Sequence, residues 1–249
     1  MVYQFWLPFV LLWLIIIFLD RRSGVLRDIS TANQAPVSWS RVQLTWWTVI
    51  ILSSLIAIIW KDMQEAPPAN IPTLHYSTLI LLGISAATTT VARMIDIGDL
   101  TDNNPAPRSQ DTPASNFLMD MLSDQDGVSI HRLQAVVFNL VFGIWFIATV
   151  LYNLAPGHDP CSMYAAGSQL ATACAANKLD YMMPVISDNN LILLGISSAT
   201  YAAMKTTENK APASAANTAA PTPVVSTTTT TAPPATTTVT TATNVTTTP

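Results

Sequence analysis

The stretch Leu79–Thr88, LILLGISAAT, recurs at Leu191–Thr200 as LILLGISSAT. Nine of the ten positions agree, and Ala86 against Ser198 is the one difference. A second pair lies upstream. Val37–Gln43 (VSWSRVQ) and Val128–Gln134 (VSIHRLQ) share V-S-x-x-R-x-Q, and each opens an apolar run. One unit therefore occurs twice. Each copy holds two runs of membrane-spanning length, so the unit reads as a pair of helices in a bilayer. This decides the architecture and leaves the chemistry open.

The composition agrees. Charged residues make up 10% of the 249 residues and apolar residues 50%, against about 25% charged in an ordinary globular chain. The net charge of −4 supplies no basic field for nucleic acid. Trp and Tyr lie mostly near the ends of apolar runs, where amphipathic rings favour the headgroup zone.

Five stretches approach the roughly 20 apolar residues a span needs: about 2–19, 43–60, 73–92, 133–154 and 185–204. The first, FWLPFVLLWLIIIFL, has a signal peptide as its rival reading. It lacks a basic leader and a small-residue cleavage site, and Asp20-Arg21-Arg22 follow directly, so it reads as an uncleaved span. With the N-terminus outside, the inside holds Arg21, Arg22, Arg27, Arg41, Arg93, Arg108, Arg132, Lys205 and Lys210, and the outside only Lys61 and Lys178. The same orientation places Cys161 and Cys174 in the outer loop Ala155–Tyr181. A disulfide is expected there, with two free thiols as the alternative.

The expected fold is thus an all-α membrane protein of five transmembrane helices. An N-terminal anchor and inner loop (1–36) precede repeat 1 (37–96), a cytosolic loop (97–127) and repeat 2 (128–208), and a Thr/Ala/Pro-rich tail (209–249) expected to be disordered closes the chain. Each repeat crosses twice, so both enter the membrane in the same sense, related by an axis along the membrane normal. Pro72 and Pro184 match ahead of the second helix of each unit, where the first helical turn tolerates proline. The 21 extra residues of repeat 2 lie in the cysteine-bearing loop.

Gly83 with Ala87, and Gly195 with Ala199, have small-xxx-small spacing, which suits close helix packing in lipid. Ser85 with Thr88, and Ser197 with Thr200, share another face. Their hydroxyls either serve packing or, together with Asn139 in the fourth span, line a pore or cavity. Ser38 and Ser129 stand where helix N-caps are expected. Arg41, Arg132, Arg93 and Lys205 are expected to meet lipid phosphates or a partner at the inner face. Asp188 reads first as a helix-start cap or interface residue and second as an ion-entrance residue, and Asn116–Leu122 as a segment able to lie on the inner membrane surface. Asp124–Gly127 reads as a turn rather than a calcium loop, because the remaining ligands are missing.

At His131–Gln134 (HRLQ) and at LLGISSATY with Lys205, the chain resembles uncharacterised bacterial inner-membrane proteins with an HRxQ…LxGISSxTYxxxK-like C-terminal half. The resemblance covers roughly residues 123–208, with a weaker echo at 37–96. The chain departs from it at Ala202 and Ala203, where that group carries a Leu-Gly-like pair. It implies a bacterial inner-membrane location.

No catalytic constellation is visible, so neither enzyme activity nor a cofactor or metal is expected. The partners expected are the bilayer and a homo-oligomer or membrane complex. The spans also look free of interior charge, which coupled transporters usually need. That favours an anchor or assembly subunit, with an oligomeric channel or small permease as the alternative.

Overall fold

Between its polar ends the chain folds as helices because lipid satisfies no backbone group, and only internal hydrogen bonds can. The computed structural model describes residues 2–30, 32–65, 72–101, 111, 114, 116–124, 127–176 and 178–208, all within one compact unit. The helices are α1 (Val2–Ser23), α2 (Trp39–Glu65), α3 (Tyr76–Thr101), α4 (Phe117–Leu122), α5 (Ile130–Asn153), α6 (Gln169–Ala176) and α7 (Asp188–Glu208). A small antiparallel hairpin, β1 (Ser123–Asp124) and β2 (Gly127–Val128), precedes α5. The tail 209–249 and Asn103–Pro107 lie outside the described residues.

Four helices, α1, α2, α3 and α5, are long and apolar enough to cross a membrane. Their outer faces expose large apolar side chains, such as Leu11 and Leu14 on α1, Ile80 on α3 and Val141 and Ile144 on α5. This is the make-up of a multi-pass membrane protein. The helices run past the expected bounds. The end of α3 extends from the expected Ala92 to Thr101, because Asp96 finds a cationic partner there and its turn stays helical.

α2 packs against α3, α3 against α7, α7 against α5 and α5 against α2, and α1 lies outside against α2. Trp47, Ile50, Ile58, Leu81, Phe146, Val150 and Leu194 fill the space between the helices. Contacts fix the directions. Along α3 and α7, Tyr76 Oη donates to Asp188 Oδ1 at 3.1 Å, Ile84 Cδ1 lies 3.7 Å from where a Gly195 Cβ would stand, and Asp96 meets Lys205 at 3.0 Å. The order is the same on both helices, so they are parallel. On α2 and α5, Trp47 meets Asn139 and Lys61 meets Asn153, again in one order.

Several local expectations meet corrections. Pro72 and Pro184 stand four residues ahead of α3 and α7, outside the first turn. Ser38 and Ser129 do precede α2 and α5, and their carbonyls accept from Val42 and Leu133. Their hydroxyls, however, bond to Ser40 and His131 rather than to a helix-end amide. Asp188 opens α7 and stands at a helix interface, as one of its expected readings has it, its carboxylate accepting from Tyr76 of α3 at 3.1 Å. The loop 97–127 holds α4, and there Met121 and Leu122 are buried while Phe117, Leu118 and Met119 are exposed. Asp124 and Gly127 flank the tight turn of the hairpin, with Gly127 at φ 110°.

At one end of the bundle, Cys161 and Cys174 form a disulfide. Asp159 caps the neighbouring turn Pro160–Met163. The Cys161 N–H it accepts, with the Lys178 charge beside it, holds its carboxyl below the usual carboxylate range. The loop is pinned to the helices: Thr73 N–H donates to Asp180 at 2.8 Å, Asn153 to the Met182 carbonyl at 2.9 Å, and Ile186 N–H to Ser77 at 3.3 Å.

The glycines divide into two kinds. A Cβ on Gly143 would overlap the Trp46 indole, whereas one on Gly83 would meet nothing within 4 Å. Gly143→Ala should therefore destabilise the protein by about 1–3 kcal/mol, by forcing Trp46 off α5. Gly83→Ala should be neutral, or stabilising by about 0.5–1 kcal/mol through helix propensity. Thermal unfolding in detergent reads the difference, and equal effects from the two variants would contradict this packing.

Candidate functional site at the basic end

The end of the bundle opposite the disulfide gathers the basic side chains. Lys205, near the end of α7, is 1% exposed. Its ammonium lies 3.0 Å from Asp96 of α3 and 3.2 Å from Asp28 of the α1–α2 connection. Asp96 is equally buried. A desolvated ammonium is stable only when carboxylates surround it, so three distant segments are held at one point.

The connection carrying Asp28 is itself ordered. Gly24, at φ 63°, ends α1, and Asp20 Oδ1 accepts from the Leu26 N–H at 2.8 Å. Arg27 and Val37 form an antiparallel bridge. Arg27 also donates to the Ala35 carbonyl at 2.9 Å and pairs with Asp20 at 3.6 Å. The segment before α5 docks beside it, with Val37 N–H donating to Asp120 at 3.4 Å. Arg132 is buried rather than facing lipid. It donates to the Ser123 carbonyl at 2.7 Å and stacks 5.8 Å from the centre of the Tyr201 ring.

Of the four cations expected at a lipid or partner surface, two are thus corrected: Lys205 and Arg132 are internal structural charges. Arg93 is exposed, and Arg41 is part-exposed with a 3.2 Å bond to the Val25 carbonyl. Asp96 and Lys61 lie just beyond the expected spans 73–92 and 43–60, within the helices Tyr76–Thr101 and Trp39–Gln64.

Ser85 and Thr88 are buried, and both donate to carbonyls four residues back in their own helix. Asn139 is clamped between helices: Trp47 Nε1 donates to its Oδ1 at 2.7 Å, and its own amide donates to the Ala135 carbonyl at 2.8 Å. Ser197 is buried, while Thr200 faces outward. The small residues are also corrected. Gly83, Ala87 and Ala199 are exposed and Gly195 is half-buried, where a Cβ would come 3.7 Å from Ile84. The stripe of α3 that packs is Leu81, Ser85, Thr88, Ala92 and Asp96. Ala87 and Ala199 instead line an outward-opening groove of about 360 Å³ between α3 and α7.

Asp28, Asp96 and Gln43 were missed from sequence. Asp96 continues the helical stripe of Ser85, Thr88 and Ala92, and Lys205 that of Leu194, Ser198 and Tyr201, so periodicity would have found both. Asp28 lies 177 residues from its partner and carries no such mark. Among the described residues no group of His, Cys, Asp and Glu could hold a metal ion. Compared with protein-family models, curated proteins and solved structures, the chain matches none.

Removing the ammonium alone strands two carboxylates. Lys205→Met should cost about 3–5 kcal/mol, and adding Asp96→Leu should recover much of that loss. Unfolding free energies in detergent decide it; a Lys205→Met variant as stable as the parent would remove the clamp from the account.

Proposed function

We propose that this chain is a membrane anchor or assembly subunit that presents an ordered face at its basic end to a partner protein. The observation that carries the reading is the clamp at Lys205. Asp28, Asp96 and Arg132 fix the α1–α2 connection and the segment before α5 into one surface, and a bundle that needed only to span would not require this. The filled interior supports it as well: Trp47, Phe146, Leu81 and Leu194 occupy the space a single-chain pore would need.

In this reading α7 is a fifth span. It is less apolar than the others, yet it packs along α3 and α5. The hairpins α2–α3 and α5–α7 are then two copies of one unit in the same sense. Supporting this, Tyr76 meets its sequence equivalent Asp188, and Ile84 packs beside Gly195 at matching height. The arginine-rich end faces the cytosol of a bacterial inner membrane, and the disulfide loop faces the oxidising side. A channel would have to form between copies, because the hydroxyls that face outward, such as Thr90 and Thr200, lie on the bundle's exterior.

Photo-crosslinkers placed at Asn33, exposed on the clamped connection, and at Leu14, exposed on α1, separate the readings. Protein adducts are expected from position 33 and lipid adducts alone from position 14. Densely loaded proteoliposomes should be no leakier to ions or small solutes than empty vesicles. Measurable flux, or no protein adduct at position 33, would overturn the anchor reading.

A further inference from the structure

The wall of the α3/α7 groove carries two hydroxyls, Thr88 and Ser198. Thr88 is satisfied within its own helix at 2.7 Å. Ser198 faces a side chain from across the ring: Gln43 Nε2 of α2 lies 3.0 Å from its Oγ. Both residues are at least nine-tenths buried. The remaining amide atom, Gln43 Oε1, has no partner among the described residues, and neither does the hydroxyl of the next residue, Ser197. Exchanging the amide oxygen and nitrogen changes which atom is orphaned, not that one is.

The hydroxyls of Ser53 and Thr78 are likewise without a partner among the described residues, whereas Ser54, Ser85, Thr88, Thr89 and Thr90 each bond to the carbonyl four residues back. Depth raises the cost. Ser197 stands nine residues from Asp188 and eight from Lys205, midway along α7, where lipid supplies no hydrogen bond.

We infer that a water molecule occupies this node, held by the Gln43 carboxamide and the Ser198 hydroxyl at the wall of the groove. A buried water needs two to four polar partners and a share of about 30 Å³. The node supplies the partners, and Ser198, which Gln43 reaches at 3.0 Å, borders the groove of about 360 Å³. The water completes the diagonal link between α2 and α7.

Water-edited solid-state NMR on the full chain in vesicles with deuterated acyl chains tests this. Proton magnetisation from water should reach the Gln43 side-chain amide as fast as it reaches exposed amides, while Leu81 and Phe146 stay dark. No transfer to Gln43 would sink the inference. So would transfer from protonated acyl chains to Ser198 in a second sample, since that means a lipid tail fills the groove. Gln43→Met gives an independent reading. A hydrated node predicts a melting temperature lower by about 2–4 °C. An unchanged or higher value, expected when an unpaired amide leaves a dry core, overturns it.

Discussion

An ammonium taken out of water must be answered by carboxylates, and Lys205 is answered by two that come from different parts of the chain. Asp96 ties α7 to α3, and Asp28 ties both to the connection that follows α1. The basic end takes its shape from this point. The Arg27–Val37 bridge and the docking of α4 through Asp120 build outward from it. Replacing a buried ion cluster with well-packed apolar groups is often no worse for stability. Its distinctive contribution is therefore positional: it allows one alignment of three segments and penalises the others.

The two copies of the repeated sequence differ where they must meet unlike neighbours. Ser198 replaces Ala86 at the single mismatch in the ten-residue match, and Ser198 is where Gln43 lands. Asn139 stands where the first copy has Thr48. It bonds Trp47, whereas Thr48 turns back to its own helix. Gln43 is buried, while its counterpart Gln134 is exposed. Helices that attract one another in lipid mainly through packing and hydrogen bonds gain specificity from such substitutions, because a symmetric surface would accept several partners equally.

Hydropathy made the helices legible, and the repeated segments disclosed that α3 and α7 correspond. The cores of the long helices lie within the expected spans, and their polar ends run beyond them, as at Asp96 on α3 and Lys205 on α7. The site was less legible. Arg93 and Lys205 align in sequence, so both read as headgroup cations; one is exposed and the other is the centre of a buried cluster. The difference comes from Asp96 and Asp28, the two carboxylates that meet Lys205. The small residues misled for a geometric reason. Gly83 and Ala87 share a face, but that face sits beside the packed stripe of Leu81, Ser85 and Thr88 rather than on it.

Register along the α3/α7 seam follows from its two ends. Tyr76 to Asp96 is twenty residues and Asp188 to Lys205 is seventeen, so at 1.5 Å per residue the two contacts are about 30 Å apart on α3 and about 26 Å apart on α7. The shortfall of several ångströms is within reach of a lysine side chain lying along the helix towards Asp96. A shorter donor at position 205 would reach neither carboxylate without sliding α7. A slide of one turn, about 5.4 Å, would break the Tyr76–Asp188 bond at the far end. The middle of the seam, with its open groove and exposed alanines, offers little resistance to such a slide. A long cation at this position is therefore a consequence of the spacing between two polar contacts that must both be made.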